Sequence, residues 1–513
     1  MSQVPGQSGD GPRLAKVPSG IEGLDVILKG GFLQGGITIV QGKPGAGKTI
    51  LGNQLCFNHA AAGGRALYVT LLAESHARML LHIGNLEFFR SSAIPDQLLY
   101  VSAFPVLEAD GVRGLLALLR QEVGAFKATL LVLDGLVAAE KAAASDMEFK
   151  KFIHELQTHA TAANCQMFLL TSGGENPEVA TSEHTMVDCV IEMRSRLHGW
   201  RAERDLEILK RRGDGFLRGR HAFRISDAGI TLFPRFEALF ATPTNAERVA
   251  DTRVSTGLAK LDDMIGGGLP GASTTLLLGP SGIGKTTIGL QFLSQCTPDD
   301  PGLFFGFYEA PAGIRAKAAA LGLPLLDNLD QGVVEFLWQP PTEASLDEIC
   351  AQLLISIRAR GVRRLFLDGL GGLVKLADDP GRVGHIVAAL IHELRALQVT
   401  TLISKESDDL LGSLSVPPAS MLAVGSVSDI ADNILLFQFI RLRSRFYRSV
   451  AAFKVRDSRI DDHAHLFEIT AQGIVVDTSP DRAEAMFLEA AAQPRAPDSP
   501  TGTLTHGQRP RGE

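Results

Sequence analysis

The chain is expected to fold as two tandem α/β domains, each a mostly parallel sheet flanked by helices. Three observations lead there. Short apolar strands alternate with helical segments along most of its 513 residues. The same order of segments occurs twice. A glycine loop closes the first strong strand of each half, in "QGKPGAGKT" at 41–49 and "LGPSGIGKT" at 278–286.

The repeat sets the layout. Lys48 and Lys285 lie 237 residues apart, as do Gly20 and Gly257, and Leu24 and Leu261. The separation is 234 for Asp134 and Asp368, 238 for His154 and His392, and 244 for Lys210 and Lys454. Features in one order at such steady spacing mark a duplication with small loop insertions. The first domain is placed at 15–247 and the second at 248–482, after a disordered tail at 1–14. The polar, proline-bearing link "ALFATPTNAERVAD" carries the boundary. Residues 483–513 hold the rest of a short helix, capped by Ser479 with Pro480 at its first position, and then a tail of disordered composition.

Each half then reads the same way. An apolar strand ("GITIVQG", "STTLLLG") runs into the glycine loop, and a helix follows ("TILGNQLCFNHAAA", "TTIGLQFLSQC"). A second strand comes next ("RALYVTLL", "GLFFGFY"), then a helix and a strand ending in Asp134 or Asp368. An amphipathic helix and a further strand ("CQMFLLTS", "VTTLISKE") complete the unit. In "HELQTH" the two histidines are five residues apart and do not share a helical face, so no zinc pair is expected there.

The composition narrows the function. Net charge is −7, so no global basic field recruits nucleic acid, and nucleic acid is not an expected partner. The five cysteines are dispersed, without a C-x-x-C pair, which fits reduced thiols in the cytoplasm. The N-terminal residues lack the apolar core of a secretory signal, and no run reaches the ~18 apolar residues of a membrane span, so no membrane role is expected.

The glycine loops carry the chemistry. A G-x-x-x-x-G-K-T loop wraps phosphates in backbone N–H groups at a helix N-terminus. The nucleotide-binding residues are therefore Gly42, Lys43, Pro44, Gly45, Ala46, Gly47, Lys48 and Thr49 in the first half. In the second they are Gly279, Pro280, Ser281, Gly282, Ile283, Gly284, Lys285 and Thr286. Lys48 and Lys285 would reach the β- and γ-phosphates, and the hydroxyls of Thr49 and Thr286 would ligate Mg²⁺. Asp134 and Asp368, at the ends of apolar strands, would hold that ion through water.

A duplicated loop of this kind opening with [ST]-G-[IL]-x-x-L-D, with Lys-x-Arg late in each half, resembles the KaiC family of RecA-like ATPases over roughly residues 15 to 478. The resemblance implies two stacked hexameric rings, with ATP and Mg²⁺ held between subunits. It implies that Lys210 and Arg212, and Lys454 and Arg456, reach a neighbour's nucleotide in trans. It further implies a catalytic glutamate after the second strand and a second half able to phosphorylate its own chain. The first half reads "VTLLAESH" and the second "FGFYEAP" where the family has paired glutamates. Glu309 thus keeps the position of the base, and Glu74 that of its neighbour unless a one-residue loop shift brings it into the base position. Counted back from Lys454, the family's Ser-Thr acceptor pair falls on Ser428 and Asp429. The expectation is a cytoplasmic, homohexameric ATPase with slow turnover and signalling proteins as partners; Ser428 is either the acceptor of an autokinase in the second half or a polar loop or helix-cap residue beside Asp429. A DNA-dependent motor, which would bind single-stranded DNA in a salt-dependent way, and a nucleotide-gated scaffold without turnover are the rival readings.

Overall fold

The computed structural model describes residues 15–71, 76–172, 182–198, 200–242, 252–377, 379–407, 430–442, 445–456, 458–477 and 479–491. The tail at 1–14, the boundary at 247, Glu74, Ser428, Asp429 and the last residues of the chain lie outside them. The chain divides into two compact units, each holding one nine-stranded sheet.

In the first repeat a short antiparallel pair, β1 (Lys16–Val17) and β2 (Phe32–Leu33), precedes the sheet. The sheet contains β3 (Ile37–Gln41), β4 (Ala66–Thr70), β5 (Leu98–Ser102), β6 (Leu130–Asp134) and β7 (Gln166–Thr171). It continues with β8 (Cys189–His198), β9 (Arg201–Arg211), β10 (Arg220–Ser226) and β11 (Gly229–Phe233). Their spatial order is β11-β10-β9-β8-β3-β7-β6-β4-β5, with six parallel strands from β8 to β5. The strand that leads into the glycine loop therefore lies inside the sheet, and the Asp134 strand lies one strand away from it, beyond β7.

The second repeat follows the same plan. β12 (Arg253–Val254) and β13 (Leu269–Pro270) form the small pair. The sheet comprises β14 (Thr274–Gly279), β15 (Gly302–Gly306), β16 (Val334–Trp338), β17 (Arg364–Asp368), β18 (Thr400–Glu406), β19 (Asn433–Leu442), β20 (Arg445–Val455), β21 (His465–Thr470) and β22 (Gly473–Asp477). Their order is β16-β15-β17-β18-β14-β19-β20-β21-β22.

The apolar strand sequences follow from burial on two faces. β3, β4 and β6 are buried at every position, as parallel strands under helices on both sides must be. Val40, Tyr68, Val132 and Leu170 pack into one core with Leu51 and Leu55 of the helix Lys48–Ala61. Ile39, Leu67, Leu131 and Leu169 pack into the opposite core, with Leu119 and Leu156 from the helices Phe104–Phe126 and Asp146–Ala163. The two-residue period of a strand then turns Asp134 toward the same face as Tyr68 and Leu170, the face of the loop helix. In the second repeat Leu277, Phe304, Phe366 and Leu402 meet Ile288 and Phe292 of the helix Lys285–Leu293.

The four-strand antiparallel extension, β8 to β11 and β19 to β22, is broader than the strand-and-helix alternation foretold. Its strands carry many charges. Arg194 on β8, for instance, meets Asp205 at 3.3 Å and Glu207 at 2.7 Å across β9.

The first glycine of each loop is set by a close backbone approach. A Cβ at Gly42 would lie 2.2 Å from the Met193 carbonyl oxygen, and one at Gly279 would lie 2.6 Å from the Phe437 carbonyl oxygen. Neither neighbour is the end of a flexible side chain, so the loop strand and β8 or β19 would have to part. Gly42→Ala and Gly279→Ala should each destabilise the chain by about 1–3 kcal/mol, read as a lower thermal unfolding midpoint. Gly313→Ala, in the helix Pro311–Ala320 where a Cβ meets nothing within 4 Å, should be neutral or stabilising by about 0.5–1 kcal/mol. Equal loss in all three variants would refute the close-approach argument.

Candidate functional site

Each glycine loop enters its helix through a residue that only glycine adopts readily. Gly47 has φ +102° and Gly284 has φ +120°, and the helices begin at Lys48 and Lys285. Lys43, Pro44 and Gly45 are exposed and Ala46 is buried; in the second loop Ser281 and Gly282 are exposed, while Pro280 and Ile283 are buried. The loop tips thus face outward from helix N-termini.

The lysines fold over their own loops. Lys48 Nζ donates to the carbonyls of Gly42 at 2.6 Å and Lys43 at 3.1 Å. Lys285 Nζ donates to those of Gly279 at 2.7 Å and Pro280 at 2.8 Å. Burial lowers the pKa of Lys48 although Asp134 opposes the shift, and it lowers that of Lys285 against the opposing charges of Glu406 and Asp368.

The strand-end aspartates meet the loop threonines. Thr49 Oγ1 donates to Asp134 Oδ2 at 3.1 Å, and Thr286 Oγ1 donates to Asp368 Oδ2 at 2.9 Å. A hydroxyl and a carboxylate side by side are hard oxygen donors, so these residues fit a hard divalent cation such as Mg²⁺. The sequence paired these groups only by motif; the sheet brings them together across an intervening strand.

Two further partners were not foreseen. Tyr68 OH donates to Asp134 Oδ2 at 2.8 Å. Ser404 Oγ donates to Asp368 Oδ1 at 2.6 Å and accepts from the Gly369 N–H at 2.8 Å. Burial and Asp134 hold the Tyr68 phenol well above its usual pKa, so it stays a donor. Burial also raises the Asp368 carboxyl; hydrogen bonds from Ser404 and Thr286 counter this, and the charge of Glu309 adds to it.

Glu309 stands just before the helix Pro311–Ala320 and is held by Lys317 on that helix, with Nζ to Oε1 at 2.6 Å and to Oε2 at 2.8 Å. Glu74 lies outside the described residues. The late basic pairs are seated on their own chain. Lys210 Nζ donates to the carbonyls of His184 at 2.6 Å and Thr185 at 2.9 Å, and Arg212 also donates to the Thr185 carbonyl at 2.5 Å. Lys454 Nζ donates to the Ala431 carbonyl at 2.7 Å, and Arg456 pairs with Asp432 at 3.3 Å. Arg212 and Arg456 fall just past β9 and β20, so only the lysines are in the strands.

The raised pKa of Asp368 has a stability consequence. A carboxyl whose folded pKa lies above its unfolded value contributes stability at low pH and loses it as pH rises through the folded pKa. At neutral pH the ionised Asp368 therefore opposes folding. Asp368→Asn should raise the thermal midpoint measured without nucleotide at pH 7.5, and the gain should vanish below the ordinary carboxylate range. A lower midpoint at pH 7.5 would contradict this.

Comparison with known proteins supplies the family. The sequence profile of the family described as "ATPase: KaiC" matches residues 17–237 and 254–481, one match on each repeat. The chain is 25% identical over 484 residues to the circadian clock oscillator protein KaiC of Nostoc sp., covering 92% of this chain and 91% of the relative. It is 26% identical over 477 residues to that of Parathermosynechococcus lividus, covering 91% and 86%. It is 26% identical over 480 residues to circadian clock oscillator protein KaiC 1 of Synechocystis sp., covering 90% of each. With two glycine loops, two strand-end aspartates and two matched repeats in register, the chain belongs to the KaiC family of ATPases.

Proposed function

We propose that each repeat binds ATP with Mg²⁺ in its glycine loop, and that the protein is a cytoplasmic homohexamer of two stacked rings that hydrolyses ATP slowly and signals by nucleotide state. The observation that carries this reading is the same trio of contacts in both repeats: lysine over the loop carbonyls, threonine against the strand-end aspartate, and glycine at the helix entrance. In this reading the loop N–H groups and Lys48 or Lys285 bind the phosphates, and Thr49 with Asp134, or Thr286 with Asp368, hold the cation. When bound, Mg²⁺ supplies charge neutralisation on the phosphates. Glu309 takes the proton of the attacking group in the second repeat, and Lys317 orients it. Glu74 has the lesser role in the first repeat. Lys210 with Arg212, and Lys454 with Arg456, leave their carbonyl and carboxylate partners to reach a neighbouring subunit's nucleotide. The second repeat also phosphorylates Ser428, beside the fixed negative charge of Asp429. The output is regulatory, as in the clock proteins among the relatives, through protein partners.

One experiment joins these claims. Light scattering with and without ATP-Mg²⁺, followed by ATPase assay and peptide mass spectrometry, should show a nucleotide-dependent hexamer with one phosphate per chain on Ser428. Glu309→Gln should remove that phosphate and lower second-repeat turnover by about 10²–10⁴-fold. A monomer at saturating ATP would sink the ring, and an unmodified Ser428 in a hydrolysing hexamer would leave an ATPase without kinase activity.

A further inference from the structure

The two strand-end aspartates are held by hydroxyls that come from opposite sides. In the first repeat the donor is Tyr68, on β4. In the second it is Ser404, on β18, which corresponds to β7. The register shows that these are two coupled exchanges rather than one shifted residue. Tyr68 pairs with Val132 and Thr70 with Asp134, while Phe304 pairs with Phe366 and Gly306 with Asp368. Phe304 therefore occupies the place of Tyr68, without its hydroxyl. On the other side Asp134 pairs with Leu170, whereas Leu367 pairs with Ile403, which brings Ser404 opposite Asp368. Leu170 therefore occupies the place of Ser404, again without a hydroxyl. All four side chains are buried. Beside the loop threonine, the two strands that flank each aspartate supply one hydroxyl and one apolar residue, with the sides reversed; Tyr68 donates to Oδ2 of Asp134, the oxygen that Thr49 also meets, whereas Ser404 donates to Oδ1 of Asp368 and Thr286 to Oδ2.

The turn after the aspartate follows the exchange. Gly369 N–H donates to Ser404 Oγ at 2.8 Å, but Gly135 N–H donates to the Leu170 carbonyl at 3.3 Å. The packing follows it too. A Cβ at Gly52 of the loop helix would meet Leu170 and Val132 at 3.1 Å and Tyr68 at 3.4 Å, so the phenol and the leucine fill one space under that helix.

We propose that Tyr68 is the positioning residue of the first nucleotide site: its phenol holds Asp134 in the orientation that meets Thr49 and a divalent cation, a task that Ser404 performs for Asp368. A carboxylate's terminal torsion is broad, so a short donor bond is what selects one orientation. This rests on the reading of Asp134 as a cation-site carboxylate.

The test uses the full chain carrying Lys285→Ala, so that binding of the fluorescent nucleotide mant-ATP reports the first loop. The Mg²⁺ concentration that half-saturates binding is measured, with thermal unfolding without nucleotide as the control for folding. Tyr68→Phe should raise that concentration about tenfold, the scale of a lost hydrogen bond to a charged group. Adding Leu170→Ser, which installs the second repeat's pair, should restore it to within about threefold of the parent. Ser404→Ala in a Lys48→Ala chain should show the same loss, and it serves if Tyr68→Phe does not fold. An unchanged Mg²⁺ requirement in the folded single variants, or a folded double variant without recovery, overturns the proposal. A parent whose mant-ATP binding ignores Mg²⁺ overturns the cation-site reading itself, and this inference with it.

Discussion

The contact between a loop threonine and a strand-end aspartate, Thr49 with Asp134 and Thr286 with Asp368, is the constraint on which the rest depends. The two groups come from elements about 80 residues apart in sequence, with 85 positions separating the first pair and 82 the second. To meet at hydrogen-bond distance, the loop strand must lie inside the sheet, the aspartate strand must stop one strand away, and the loop helix must cover the face toward which that aspartate turns. The fully apolar strands, the helices on both faces and the glycines at close backbone approaches all serve that placement.

The electrostatics of the site run against folding and in favour of ligand. Burial disfavours the charged forms of Lys48 and Lys285, and it disfavours ionised Asp368. These groups lie at the same end of their sheets, where a helix N-terminus favours negative charge. A polyanion bound with a divalent cation would supply the missing partners: phosphate oxygens for the lysines and positive charge for the carboxylates. Stability withheld in this way is common where a site is built to bind. The hydroxyl beside each aspartate limits the cost, and it comes from β4 in the first repeat and from β18 in the second.

Much of the architecture was legible because it is periodic. Apolar runs ending in Asp134 and Asp368, glycines before Lys48 and Lys285, and an order repeated at one offset specify the parallel core and its loops. The antiparallel extension was less legible, because strands such as Arg201–Arg211 are highly charged and their pairing depends on partners far away. Tyr68 and Ser404 escaped notice for the opposite reason. Each sits in an apolar strand and reads as core, and only the register reveals that it faces a carboxylate. The seats of Lys210 and Lys454 on main-chain carbonyls were equally hidden, since carbonyl acceptors leave no mark in a sequence.

The central claim is that one chain binds two nucleotides, one at each glycine loop, at sites of different internal construction. Equilibrium dialysis with a non-hydrolysable ATP analogue and Mg²⁺ tests it most directly. The account predicts two nucleotides bound per chain, falling to one in Lys48→Ala and to one in Lys285→Ala. A single nucleotide per wild-type chain, lost entirely in either variant, would contradict it.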